Sequence, residues 1–399
     1  MPKVYSKALN KTIDTQRIIG KMSGQAGPCL IFLGGIHGNE PSGIFAIKQV
    51  FDELAQFMPH FRGTVYGISG NLWALERQER FYKSDLNRLW TRENIEALEA
   101  SSFVPKNKDE EEQLSIQKTI NQILAEETGP FYFFDLHTTS SETIPFITIN
   151  DSLINRKFTS MYPLPLILGI EEYLDGPLLS YINELGYISL GFESGQHDAL
   201  ASIEHHKIFI YMSLVYGGVI KQDQIPFDNY LNHWKKINPE QRVFYEIFYQ
   251  HAIKPKEAFK MYPGFLNFQT IPKGKLIAKS NGVPIVLKKT AKIFMPLYQE
   301  KGDDGYFLIK RTPTFLLWLS AIIRQLRLDS VFPLLPGVRW SSSKKETMVV
   351  NLKIARFITR PLFHLFGYRS KQKNATHISV RNREYNSKKD AYKQEKWYT

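Results

Sequence analysis

The chain has 399 residues, of which 43% are hydrophobic and 13% are aromatic, and it holds one cysteine, Cys29. This length allows one large domain with a smaller one, and the apolar content excludes a disordered protein. A single cysteine excludes both an internal disulfide and a cysteine-based zinc site. The net charge of +12 is concentrated in residues 341–399, where 14 Lys/Arg stand against 4 Asp/Glu, so we predict no nucleic-acid partner.

Apolar runs typical of buried strands alternate with runs of helical periodicity through the first half of the chain. The strand-like runs are residues 28–33, 63–70, 131–135 and 187–192, and the helical runs are 41–57, 110–126 and 199–219. This alternation predicts an α/β fold, with a central mixed sheet flanked by helices.

The second half of the chain has a different pattern of apolar residues. Short apolar runs separated by Gly, Pro, Asn and Asp predict a small antiparallel β module. They lie at residues 274–277, 284–287, 292–295 and 305–309. We therefore predict a catalytic α/β domain at 1–225, a linker and β module covering the cleft at 226–312, and a helical and basic tail at 313–399, disordered past about Phe366.

Three potential metal ligands follow predicted strands. His37 and Glu40 stand three residues apart in the turn after the first strand, and His137 ends the strand that begins at Phe131. Open α/β sheets place their sites at the carboxyl ends of strands. Two histidines and one glutamate are a catalytic zinc set that leaves a position for water, so we predict one Zn²⁺ per chain. Asp135 is placed to orient a ligating histidine through its second nitrogen.

Other polar residues suit the chemistry of such a site. Glu193 ends the strand after Tyr187 between two glycines, where a carboxylate can act as general base towards a water molecule. Arg80, Asn87 and Arg88 supply donors suited to a carboxylate and to a developing oxyanion.

Four motifs in order resemble the succinylglutamate desuccinylase/aspartoacylase family, within the wider zinc carboxypeptidase-like fold. They are GGIHGNEPSG at 34–43, DLNR at 85–88, DLHTTS at 135–140 and GFESG at 191–195. The resemblance implies hydrolysis of a small N-acyl amino acid, with zinc on His37, Glu40 and His137 and with Glu193 as base. It also implies that Arg80 polarises the carbonyl, that Asn87 and Arg88 bind the substrate carboxylate, and that Tyr306 of the β module contacts the substrate.

One departure from the family pattern concerns the grip on a second substrate carboxylate. Aspartoacylases have an Arg and a Tyr before the base-bearing strand, where this chain has Asn183 and Leu179, and no Arg lies between Lys157 and Glu193. We therefore do not transfer the familiar substrates, and we expect the amino-acid part of the substrate to be neutral or apolar.

Two alternatives remain open from the sequence. A zinc carboxypeptidase would share the metal ligands, and a non-catalytic, membrane-associated binding protein would keep the fold. No stretch of about 18 apolar residues occurs, so no membrane span is predicted. We expect a cytoplasmic protein, with the basic tail as a candidate for peripheral contact with the inner membrane surface. The sequence leaves homodimer formation open.

Overall fold

The computed structural model describes residues 1–100, 102–238, 240–341, 345–355, 360–372, 374 and 376–398. These residues form twenty strands: β1 Lys3–Ser6, β2 Lys11–Asp14, β3 Ile18–Ser23, β4 Gln25–Gly34, β5 Arg62–Ser69, β6 Phe131–Thr139, β7 Phe146–Ile149, β8 Leu166–Leu168, β9 Ile188–Gln196, β10 Phe244–Ala252, β11 Phe259–Met261, β12 Thr270–Ile271, β13 Leu276–Ser280, β14 Val283–Val286, β15 Ala291–Phe294, β16 Asp304–Arg311, β17 Val338–Trp340, β18 Thr347–Asn351, β19 Tyr368–Gln372 and β20 His377–Asn382. They also form ten α-helices: α1 Ser42–Glu53, α2 Leu72–Arg77, α3 Arg92–Glu99, α4 Lys108–Glu126, α5 Leu153–Thr159, α6 Leu178–Glu184, α7 Leu200–Tyr216, α8 Phe227–Ile237, α9 Thr314–Gln325 and α10 Arg360–Leu365.

Eleven strands form one mixed sheet in the order β12-β15-β16-β10-β8-β7-β9-β6-β4-β5-β3. At its centre β5, β4, β6 and β9 run parallel, and β7 pairs antiparallel with β9. The predicted α/β class with a mixed central sheet is therefore confirmed.

The central strands are apolar on both faces because helices cover both sides of the sheet. All nine residues of β6 are buried. Phe134 stacks on Phe32 of β4 in one core cluster, with ring centroids 4.6 Å apart, whereas Phe133 packs in the cluster on the other face. Parallel pairing then aligns the carboxyl ends of β4, β6 and β9 at one edge, and His137 lies directly opposite Glu193.

The strands of residues 226–312 divide between two sheets. β10 pairs parallel with β8 and antiparallel with β16, so this half extends the central sheet instead of forming a fully separate module. Only β11, β13 and β14 form a small antiparallel sheet of their own. The domain limits 1–225, 226–312 and 313–399 stay a proposal.

The C-terminal region differs from the expected disordered tail. β17, β18, β20 and β19 form a four-stranded antiparallel sheet with a core of its own that includes Met348, Phe363 and Val380. Farther along, the Tyr392 hydroxyl donates to the carbonyl of Phe131 and accepts from the backbone N–H of Ile188. Composition alone suggested a solvated tail, whereas these apolar residues give the segment a core and an attachment.

Helix α9 buries polar side chains and exposes apolar ones, the reverse of the usual arrangement on a surface helix. Ser320 and Arg324 face inward and are buried, whereas Phe315 and Trp318 are 64% and 65% exposed. Ser320 Oγ donates to the carbonyl of Leu365, at 2.7 Å. None of the helices in the described part of the chain has the length and hydropathy needed to cross a membrane.

Buried charges tie this C-terminal region to the first half of the chain. Arg324 Nη2 lies 2.9 Å from Asp151 Oδ2, and Arg383 Nε lies 2.9 Å from Glu171 Oε1. A buried guanidinium is tolerated only where carboxylates compensate its lost hydration. The excess positive charge of residues 341–399 is therefore partly balanced by acids more than 150 residues earlier in the chain.

His364 of α10 belongs to the same attachment. Its Nε2 lies 2.8 Å from Glu172, and its Nδ1 lies 3.1 Å from Glu246 of β10. Burial opposes the charged imidazolium, but the two carboxylates outweigh it and raise the pKa of His364 to about 9.

We predict that His364→Gln lowers the free energy of unfolding in a pH-dependent manner. The pKa is raised above its unfolded value of 6.5, so the stabilisation by His364 is fully present below that pH and is lost as the pH rises through about 9. Urea unfolding should show a wild-type advantage on the order of 1 to 3 kcal/mol at pH 6 that disappears by pH 10. An advantage independent of pH would show that the imidazolium charge is not what stabilises the attachment.

Candidate metal centre

Three buried donor residues converge at the carboxyl edge of the sheet. His37 and Glu40 lie in the loop between β4 and α1, and His137 lies near the end of β6. His37 Nδ1 is 2.9 Å from Glu40 Oε1, and His137 Nδ1 is 3.2 Å from Glu40 Oε2. One donor atom from each residue lies within 4.8 Å of the others, so the three could hold one metal ion.

Glycines shape the loop that carries two of these residues. Gly35 has a φ of +71°, in the left-handed region that glycine favours. A Cβ on Gly38 would lie 2.1 Å from the carbonyl carbon of Ala74 and 2.4 Å from the Glu79 oxygen. The absence of side chains at these positions lets the His37 loop pack closely against the segment that leads to Arg80.

Each histidine has a carboxylate on its second nitrogen. His37 Nε2 is 3.0 Å from Asp85 Oδ1, and His137 Nε2 is 2.9 Å from Asp135 Oδ2. Ligating histidines usually have such a partner, which sets the tautomer and aims the other nitrogen at the metal. Asp135 lies at ion-pair distance from His137 but forms no hydrogen bond in the described part of the chain, whereas Asp85 forms a hydrogen bond with His37 that the sequence did not predict.

Glu40 carries a negative charge within this cluster. Burial alone would raise the pKa of its carboxyl group, but His37 and His137 outweigh that effect and hold the pKa well below its usual range. Arg80 Nη1 also donates to Glu40 Oε1, at 3.0 Å, and the backbone N–H of Thr138 donates to Glu40 Oε2, also at 3.0 Å. The donor set of two imidazoles and one anionic carboxylate suits zinc.

Arg80 lies at the cluster, and the buried side chain of Asp109 fixes the conformation of the loop that follows it. Arg80 Nη2 lies 3.3 Å from Asp85 Oδ2, and Arg80 Nε has no partner among the described groups. Asp109, near the start of α4, accepts hydrogen bonds from the backbone N–H groups of Tyr82, Lys83 and Ser84. The loop therefore presents Arg80 and Asp85 in a defined position.

Glu193 lies beside the cluster on β9. Its side chain is buried, and its Oε2 has no hydrogen-bond partner in the described part of the chain. Burial raises the pKa of Glu193 to about 8, with Glu40 and Asp135 adding to the shift and His137 opposing it. A carboxyl group of this kind can exchange a proton near neutral pH.

A cleft opens at the cluster of His37, Glu40 and His137. Asn87 and Arg88 line this cleft, but both already have partners within the protein. Asn87 Oδ1 accepts from the backbone N–H of Leu178, at 2.8 Å, and so anchors the start of α6. Arg88 Nη2 lies 2.7 Å from Asp304 Oδ2 at the start of β16. The sequence predicted both residues at the site but did not reveal these two contacts.

Tyr306 is not brought to the cleft. It packs in the hydrophobic cluster of the small antiparallel sheet, where its ring lies nearly parallel to that of His251, with centroids 5.5 Å apart. The predicted substrate contact of Tyr306 therefore has no support from its position, because strand alternation turns Phe307 towards the cleft instead. His197 also lines the cleft, and the sequence offered no motif for it.

We predict that Asp85→Asn and Asp135→Asn each weaken zinc binding by roughly 10- to 100-fold, because each removes the carboxylate that orients a histidine. Competition against a fluorescent zinc chelator measures the change. Asp198→Asn, an exposed carboxylate paired with Lys7, is the matched control and should leave the affinity unchanged. Equal zinc affinity in all four proteins would contradict an orienting role for the two carboxylates.

The segment that carries this site is similar to known proteins. Residues 26–196 match the model of the succinylglutamate desuccinylase/aspartoacylase catalytic domain. A probable aspartoacylase from Trichodesmium erythraeum is 29% identical over 134 residues, which is 33% of this chain and 42% of that protein. The chain thus spans less than half the length of this curated relative in the match.

Solved structures extend the similarity of the fold beyond that segment. A succinylglutamate desuccinylase from Vibrio cholerae aligns with a TM-score of 0.51 and 16% identity, over 77% of this chain and 90% of its own. A succinylglutamate desuccinylase/aspartoacylase from Rhodobacter sphaeroides gives a TM-score of 0.52 and 15% identity, over 78% and 94%. The resemblance expected from the four motifs is confirmed over residues 26–196, which match the succinylglutamate desuccinylase/aspartoacylase catalytic domain.

Proposed function

We propose that the protein is a zinc-dependent amidohydrolase that cleaves the amide bond of a small N-acyl amino acid. One observation carries the proposal. His37 and His137, each with its second nitrogen on a carboxylate, meet Glu40 beside the buried carboxyl group of Glu193. The match of residues 26–196 to the succinylglutamate desuccinylase/aspartoacylase catalytic domain supports the same class of reaction.

The residues present fit zinc. His37, Glu40 and His137 would hold the ion, and Asp85 and Asp135 would keep the two imidazoles in the tautomers that ligation requires. When bound, zinc would polarise the amide carbonyl and lower the pKa of water at the site.

The surrounding side chains supply the rest of the proposed reaction. Glu193 takes a proton from the water that adds to the amide carbonyl carbon, and it passes that proton to the nitrogen as the C–N bond breaks. The products are a carboxylic acid and a free amine. Arg80 donates to the carbonyl oxygen as negative charge develops on it. Asn87 and Arg88 face the part of the cleft that would take the amino-acid moiety.

The two alternatives are weaker on specific grounds. The loop before β16 lines the cleft through Leu297 and Gln299, and Gln299 contacts Asn39 and His197 on the opposite wall. Such a narrowed cleft favours a small molecule over a peptide chain, which disfavours a carboxypeptidase. A non-catalytic protein would have no need for a buried, unpaired Glu193 beside three potential metal ligands.

We predict that Glu193→Gln retains zinc but loses hydrolysis by roughly 100- to 10,000-fold, since it removes the proton acceptor without touching a ligand. The test is a panel of N-acyl amino acids that vary in acyl length and side-chain charge, with zinc measured by elemental analysis. Glu142→Gln, an exposed acid outside the cleft lining, is the matched control. Loss of zinc from the Glu193 variant, or a wild type that binds zinc but hydrolyses nothing in the panel, would sink the proposal.

We also propose a peripheral contact with anionic membrane surfaces, through α9. The apolar side chains of Phe315 and Trp318 point outward, and the exposed Arg311 and Arg327 flank the helix. Exposed aromatic groups with neighbouring positive charge suit the interface of an anionic bilayer. In contrast, Arg383 of the basic segment is buried in ion pairs and is not available to lipid.

We predict that the double variant Phe315→Ser/Trp318→Ser loses at least about tenfold in partitioning to phosphatidylglycerol vesicles, because both side chains lose their apolar contact with the bilayer. Co-sedimentation measures the bound fraction, and Tyr385→Ser, at an exposed aromatic residue elsewhere on the surface, is the control. A wild type that stays in the supernatant would rule out this contact.

A further inference from the structure

The cleft contains an ion pair whose acidic member, Asp304, has no role in the proposed reaction. Arg88 Nη2 lies 2.7 Å from Asp304 Oδ2, with the two side chains 24% and 16% exposed. Arg88 Nη1 donates to the carbonyl of Asn87, at 2.9 Å. Both terminal nitrogens of the arginine expected to bind a substrate carboxylate are therefore already engaged within the protein.

Asp304 is held in this position from its other side. Gln250 of β10 donates through Nε2 to Asp304 Oδ1, and the same nitrogen lies 3.2 Å from the carbonyl of Tyr173. Asp304 is also the first residue of β16, paired in register with Ala252 of β10. The carboxylate thus belongs to the sheet framework and cannot move away as a free loop residue would.

A substrate carboxylate at Arg88 would meet a like charge. Asp304 already neutralises the guanidinium, so an incoming carboxylate would gain little attraction and would lie beside a second anion. An uncharged amide or ester group would not be repelled by Asp304 and would not depend on attraction to the guanidinium charge. Such a group could still accept a hydrogen bond from Arg88.

Four apolar side chains contribute to the cleft lining together with this pair. Ile170, Leu174 and Leu179 line the cleft from one side, and Phe307 lines it from β16. These side chains offer apolar contact to a substrate group bound beside Arg88.

We propose that Asp304 is a specificity-determining residue that selects substrates without a free carboxylate at Arg88: N-acyl amino acids whose carboxyl group is masked as an amide or ester and whose side chain is apolar. This inference rests on the proposed amidohydrolase function. It narrows the substrate class of that same site.

The test compares N-acetyl-leucine with N-acetyl-leucinamide, which differ only at the carboxyl group, an anionic carboxylate in the first and a neutral amide in the second. Acetate release by the zinc-loaded enzyme should favour the amide by about tenfold or more in kcat/KM. Asp304→Asn should lower KM for N-acetyl-leucine by about tenfold while changing KM for the amide less than about twofold, because only the carboxylate meets the removed charge. Glu300→Gln, an exposed acid in the loop before β16 and outside the cleft lining, should change neither value.

A binding measurement separates failure of this inference from failure of the proposed function. Calorimetry with zinc-loaded Glu193→Gln gives the dissociation constants of both compounds without turnover, with and without Asp304→Asn. Tighter binding of N-acetyl-leucine than of its amide, or no gain for it in the Asp304 variant, overturns the role of Asp304 even if hydrolysis occurs. Absence of hydrolysis by the wild type, with the expected binding preference, counts against the amidohydrolase function alone.

Discussion

The Glu40 carboxylate is the group on which the geometry of the site depends. It lies within hydrogen-bonding distance of His37, His137, Arg80 and the backbone N–H of Thr138, although it is almost completely buried. A buried anion is stable only where cations and donors replace its lost hydration. The loop after β4, the end of β6 and the loop before α3 must therefore meet at one point. The two histidines that could bind a metal ion together with Glu40 also compensate the charge of its carboxylate.

Several features of the fold follow from local sequence signals. The nearly continuous apolar run at Phe131 and the glycine-rich turn before His37 are short-range patterns, and both identify strand ends at one edge of a parallel sheet. The partners of Asp85 and Arg88 could not be read in the same way. Asp85 was available to pair with the nearby Arg88, yet it contacts His37, 48 residues earlier in the chain, while Arg88 contacts Asp304, 216 residues later. Which of these contacts forms depends on the order of the strands in the sheet, and the periodicity of the sequence does not encode that order.

The charged residues of the C-terminal region also have partners that local sequence patterns do not reveal. Basic composition past Phe366 predicted solvation, because isolated arginines are rarely buried. Arg383 is buried nevertheless, since Asp151, Glu171 and Glu172 surround it. Counting charges within one segment overlooks compensation by another. Helix α9 shows the converse, because its polar residues face this buried cluster and its aromatic residues are left outside.

The Tyr392 hydroxyl contacts the first residues of β6 and β9, Phe131 and Ile188, which begin the same two strands that carry His137 and Glu193 near their other ends. Tyr392 thus joins two neighbouring strands at the edge of the sheet remote from the cleft. A change at Tyr392 would therefore act on how β6 and β9 lie against each other, and with them on the distance between His137 and Glu193 at the other end of the two strands.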